Sequence, residues 1–142
     1  METTEKTAIT IKAVINAPVE KVWACWTEPE HITKWCQASP DWHAPYAEND
    51  VREAGKFKTT MAAKDGSVSF DFEGTYTQVE KYKMINYMLA DGRKVNVIFS
   101  ANGNETIVTE TFDPENQNPI EMQRAGWQAI LDSFKKYTEA NQ

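Results

Sequence analysis

The sequence predicts an α+β fold: a curved antiparallel sheet of about six strands wrapped around a long C-terminal helix, with two short helices after the first strand. Three observations carry this. From Asn118 to Gln142 the apolar residues Trp127, Ile130, Leu131, Phe134 and Tyr137 fall at i, i+3, i+4, i+7 and i+10, one stripe of a helix. Between 51 and 112 the chain breaks into short alternating runs punctuated by Asp65-Gly66, Asp91-Gly92 and Asn102-Gly103, which supply the positive backbone angles of tight hairpin loops. At 142 residues there is room for one domain and a core that needs no staples.

The elements follow in order. Residues 8–15 place Ile9, Ile11, Ala13 and Ile15 on one face and Thr10, Lys12 and Val14 on the other, the period of a half-buried strand. Pro18 opens a helix with Val19, Val22, Trp23 and Trp26 at helical spacing, and Pro29 closes it. A second, shorter helix starts at Pro29, buries Ile32 and Trp35, and ends before Ser39-Pro40. Cys36 to Asp50 has no sustained period and reads as a long loop, a frequent place for function. Strands are predicted at about 51–63, 67–79, 84–90, 93–100 and 105–112, with Gly55 and Gly74 as bend points. Asp113-Pro114 ends the sheet. Asn118 as N-cap, Pro119 in the first turn and Glu121 as a capping-box partner then start the last helix.

Composition narrows the function. A net charge of -6 with three arginines and scattered lysines excludes a nucleic-acid or anionic-membrane surface, since either needs a basic patch. Cys25 and Cys36 lie in or beside apolar helical sequence as reduced thiols do, and the polar first ten residues form no signal or anchor. A cytoplasmic protein, monomer or homodimer, is expected.

Several segments resemble a known family. Ala17-Pro18 with Val22-Trp23, then Thr27-Glu28-Pro29-Glu30-His31-Ile32 and Lys34-Trp35, are similar to the N-terminal signature of the START-like superfamily. More narrowly, they resemble proteins related to the C-terminal domain of the activator of the heat-shock-protein-90 ATPase. Gly55-Lys56-Phe57, Phe72-Glu73-Gly74, Thr109 to Phe112 and Gly126-Trp127 with Leu131 continue the match in order, so it covers nearly all of 7–139. The departures are Ala54-Gly55 where a glycine pair is usual and Lys83 where a turn proline is common. The resemblance implies the helix-grip fold, with a cavity between sheet and helix, and a superfamily whose members carry lipids, cyclise polyketides or bind chaperones.

The candidate site follows from parity and that fold. Met122, Gly126 and Ile130, at i, i+4 and i+8, would floor the cavity; Phe57, Phe70, Phe72, Tyr76, Tyr87 and Phe99 would wall it, with Trp35 and Trp42 near its mouth. The plainer reading of each aromatic is core filling. Asp71 and Glu73 have the outward parity. Glu110 shares parity with Val108 and Phe112, so inside it would need a raised pKa or a partner such as Arg52, Arg93 or Arg124; edge exposure or an ordinary salt bridge is the plainer account. Cys36, Asp41 and His43 match no compact zinc pattern, and His31 reads as solvent-facing beside a helix start. No metal or other cofactor is expected. There is no phosphate loop and no nucleophile elbow.

The first expectation is therefore a binding module for a small hydrophobic or aromatic molecule, without catalytic residues. The alternatives are a chaperone-interacting regulator of an ATPase, and a cyclase- or aromatase-like enzyme using Glu110 or Tyr76 as acid/base.

Overall fold

A computed structural model of the chain describes residues 8–37 and 39–140. Along it run β1 (Ile9–Ile15), α1 (Val19–Thr27), α2 (Pro29–Trp35), β2 (Trp42–Asn49), β3 (Lys56–Ala63), β4 (Ser69–Glu80), β5 (Met84–Leu89), β6 (Lys94–Asn102), β7 (Glu105–Phe112) and α3 (Ile120–Ala140). The strands form one antiparallel sheet of seven in the order β1-β7-β6-β5-β4-β3-β2. All neighbours after β1 are hairpin partners. The first strand instead crosses over through α1 and α2, so that β1 lies against β7 and the two helices reach the concave face.

Alternation decides what that face buries. In β1 every second residue from Ile9 to Ile15 is buried and those between are exposed, because successive side chains in a strand point to opposite faces. Val95, Val97 and Phe99 of β6 and Val108, Glu110 and Phe112 of β7 follow the same rule. α3 lays Leu131 and Phe134, which are almost fully buried, onto this surface, each stabilising the fold by about 1.5–3 kcal/mol. It also ties down the sheet's outermost strand. Arg124, Gln128 and Lys135 donate to the carbonyls of Thr10, Lys12 and Val14 at 3.3, 3.4 and 2.7 Å. This is the helix-grip arrangement that the resemblance implied.

Two elements differ from expectation. The segment expected as a loop from Cys36 to Asp50 contains β2, which makes seven strands where about six were expected. Its register slips between His43 and Tyr46, which scrambles the alternation that would have announced it. Pro45, lacking an N-H, is tolerated because β2 lies at the edge and pairs with β3 alone. At α3, the Asn118 side chain donates to Glu115 at 3.0 Å instead of accepting from the first turn. Gln123 organises that entry, accepting from the Glu115 N-H at 2.9 Å and donating to the Glu115 and Asn118 carbonyls at 3.0 and 2.8 Å. Asn141 and Gln142, the expected end of the helix, lie outside the described residues. No helix among the described residues is long and apolar enough to cross a membrane.

Candidate functional site: a cavity under the C-terminal helix

Between the concave face and α3 lies a cavity of about 270 Å3. α3 contributes Trp127, Ile130 and Leu131; the sheet contributes Met61, Phe70, Phe72, Tyr87 and Glu110; Trp26, Trp35 and Cys36 close the end under the short helices, and Arg93 comes from the β5–β6 turn. A smaller space of about 70 Å3 shares Trp26, Trp35, Cys36, Phe72 and Tyr87 with it and extends to Asn49, Phe57, Thr59 and Tyr76.

The aromatic walls are braced from behind. Trp35 donates its indole N-H to the Cys25 carbonyl at 2.8 Å, and its ring packs edge-on against Phe134 at 4.9 Å. Trp26 packs on the same Phe134 at 4.9 Å. Trp127 stacks on Phe112 with centroids 3.9 Å apart and planes at 9°. Each of these rings packs against a buried aromatic neighbour, which restricts its rotamers.

Of the residues expected at the site, Trp35, Phe70, Phe72, Tyr87, Glu110 and Ile130 line the main cavity. Phe57 and Tyr76 line its small extension, where the Tyr76 hydroxyl donates to Asn49 and Asn49 donates to the Thr27 carbonyl at 2.7 Å. Trp42 lies one layer out, 6.0 Å from Phe70. Phe99 packs on Trp23 and Trp26 at 5.2 and 5.7 Å. Met122 is 60% exposed, and a side-chain atom added at Gly126 would meet nothing within 4 Å. The helix thus turns a neighbouring stripe to the cavity, Trp127-Ile130-Leu131. Trp26, Cys36, Met61 and Arg93 are further lining residues outside the expected set. Trp26 and Cys36 carried a signal, one on the apolar stripe of the first short helix and the other beside that of the second; Arg93 was named only as one of three possible partners of Glu110, and Met61 carried no signal.

Electrostatically the site centres on Glu110. It is 5% exposed, and no described residue forms a hydrogen bond or ion pair with its carboxyl. Neither plainer account holds: the side chain is not exposed at the sheet edge, and no arginine pairs with it. Arg52 is bound to Asp50 at 2.9 Å, Arg93 to Asp91 at 2.8 Å, and Arg124 lies 3.6 Å from Glu121. Its strand neighbours are Ile11 and Val97. Burial without a partner disfavours the charged form and pushes Glu110 up to about 8. Burial likewise raises Cys36 to about 12, with the Glu110 carboxyl adding to the effect, and holds Tyr87 well above the phenol range. Asp71 and Glu73 are exposed, and Asp71 accepts from Thr60 at 2.8 Å. His31 faces inward more than expected, 2.6 Å from the Tyr137 hydroxyl. Among the described residues no cluster of three His, Cys, Asp or Glu side chains is placed to hold a metal ion.

This architecture recurs in solved structures. An AHSA1-like protein from Aeromonas hydrophila is 44% identical, with a TM-score of 0.89, over 95% of this chain and 94% of that one. A protein from Cytophaga hutchinsonii is 57% identical, with a TM-score of 0.81, over 94% and 93%. At 19% identity a protein from Nitrosomonas europaea still superimposes with a TM-score of 0.82 over 95% and 96%, a likeness of fold. No protein of curated function matches the chain. Residues 16–139 match the family described as Activator of Hsp90 ATPase homolog 1-like protein. The chain belongs to that family.

Proposed function

We propose that the protein binds a small apolar or aromatic molecule in the cavity beneath α3. The observation that carries this reading is the cavity itself, about 270 Å3 of space walled by braced aromatic rings. Burying on the order of 200 Å2 of apolar ligand surface returns about 5 kcal/mol before association costs. Apolar contact alone therefore supports weak binding, and a polar contact has to supply the rest.

Native mass spectrometry of protein purified without denaturant, against the same sample denatured and refolded, tests the reading. A bound mass that disappears on refolding is expected. Ile130→Trp, which fills the space from the helix side, should retain the circular dichroism of the parent and lose that mass; a variant that folds and still carries it would remove the cavity as the site.

One observation favours a second reading, acid/base catalysis in the same cavity. A carboxyl that titrates near neutrality can both take and give a proton at working pH, and Glu110 opens onto the space where a substrate would sit. Exchange in deuterium oxide of the carbon-bound protons beside the carbonyl of an added ketone, lost in Glu110→Gln, is the expected signature. No exchange above the buffer rate would leave the binding reading alone.

A further inference from the structure

The cavity wall contains an acid that nothing in the described chain satisfies. Glu110 is 5% exposed and lies between Ile11 and Val97 on the adjoining strands. None of its possible cationic partners reaches it. Its carboxyl opens onto the cavity, so its partner comes from whatever occupies that space. The rest of the lining says what that partner is. A cationic ligand would pair only with an ionised Glu110, the form that burial disfavours, and would lie in the same cavity as the Arg93 guanidinium. An anionic ligand would meet Glu110 itself, with Arg93 already engaged by Asp91 at 2.8 Å. Neutral molecules meet neither obstacle. As for size, a cavity of about 150 Å3 holds benzene, and this one is about 270 Å3, enough for two fused rings.

We propose that the cavity selects a neutral aromatic molecule of about two rings bearing a carbonyl-type oxygen, oriented by a hydrogen bond donated from the Glu110 carboxylic acid. The proposal rests on the ligand-binding reading of the same cavity. An acid donates only while protonated, and with Glu110 raised to about 8 the donor is in place at neutral pH. The other titratable or charged groups facing the cavity are Cys36 beyond α2, Tyr87 on β5 and Arg93 in the β5–β6 turn, with Tyr76 of β4, a phenol that burial also raises, in its small extension; α3 and the lining position of β3 present none. Cys36, at about 12, and Tyr87, higher than a free phenol, stay neutral below about pH 9, and an arginine stays charged. The pH response of binding is therefore that of Glu110.

Calorimetric titration with alpha-tetralone, with tetralin, which has the same skeleton without the oxygen, and with the ammonium analogue aminotetralin separates the possibilities. The ketone is expected to bind about tenfold more tightly than tetralin near pH 6, with the advantage shrinking above about pH 8 as the donor is lost. Glu110→Gln, which keeps an N-H donor, should retain the preference and make it independent of pH. Glu110→Leu should bind both probes equally. Tetralin binding without a ketone preference, a preference that survives Glu110→Leu but not Tyr87→Phe, or tighter binding of aminotetralin with rising pH would each overturn the proposal while leaving the cavity a binding site. Failure of the wild-type protein to bind any of the three probes would overturn the cavity reading and this proposal with it.

Discussion

Burial of the Glu110 carboxyl makes a single side chain oppose folding by an amount that depends on pH. Below its ordinary pKa of 4.5 the group is protonated whether the chain is folded or not, and it imposes no ionisation cost. As pH rises from there to about 8 the unfolded chain releases the proton and the folded chain retains it, so stability falls by about 1.4 kcal/mol per pH unit. Above that range the loss levels off, on the order of a few kcal/mol. Glu110→Gln should thus raise the denaturant midpoint at neutral pH and flatten the stability profile over this window; an unchanged slope would mean the carboxyl is solvated in the folded state. A second residue-scale strain lies at Ala54, whose φ is 68°, a conformation costing a residue with a Cβ about 1–2 kcal/mol. Ala54→Gly should recover about 1 kcal/mol of unfolding free energy, readable by urea titration. The inward parity of Glu110 was legible from its alternation with Val108 and Phe112. Its lack of a partner was not, because whether Arg93 reaches Glu110 or Asp91 depends on the shape of a turn.

Among the elements, α3 shows how far periodicity reads and where it stops. Spacing identified the stripe that packs, with Leu131 and Phe134 at its buried centre. The helix's rotation over the cavity was less legible, since positions 126 and 130 on one side and 127 and 131 on the other differ by a single residue step of 100°. Gly126 consequently sits where a methyl group meets nothing within 4 Å. Because a glycine inside a helix costs about 0.5–1 kcal/mol relative to alanine, Gly126→Ala should raise the melting temperature by a few degrees without changing ligand affinity. Lower stability would mean the glycine answers a close approach after all. Gly74 is the contrasting case, where an added Cβ would lie 2.5 Å from the Met88 carbonyl oxygen and 3.0 Å from the Phe57 ring. β2 escaped the sequence because a register slip and a proline hide an edge strand's alternation, whereas β1, with a clean period and a strand partner along its length, could be read to within a residue.

For the whole molecule, the layout of strands and helices was legible because hairpin dipeptides and amphipathic periods are local signals. The cavity was legible only as a consequence of that layout, and its occupants are set by residues far apart in sequence: Trp26, Met61, Arg93 and Glu110 converge from four regions of the chain with no local pattern linking them. One further property belongs to this scale. The outer carbonyls of Thr10, Lys12 and Val14 on β1 are taken up by Arg124, Gln128 and Lys135, while at the other end of the sheet Pro45 of β2 has no N-H to offer a further strand. Loosening α3 from β1 would uncover those carbonyls as a template for strand addition, the first step of edge-to-edge growth into fibres.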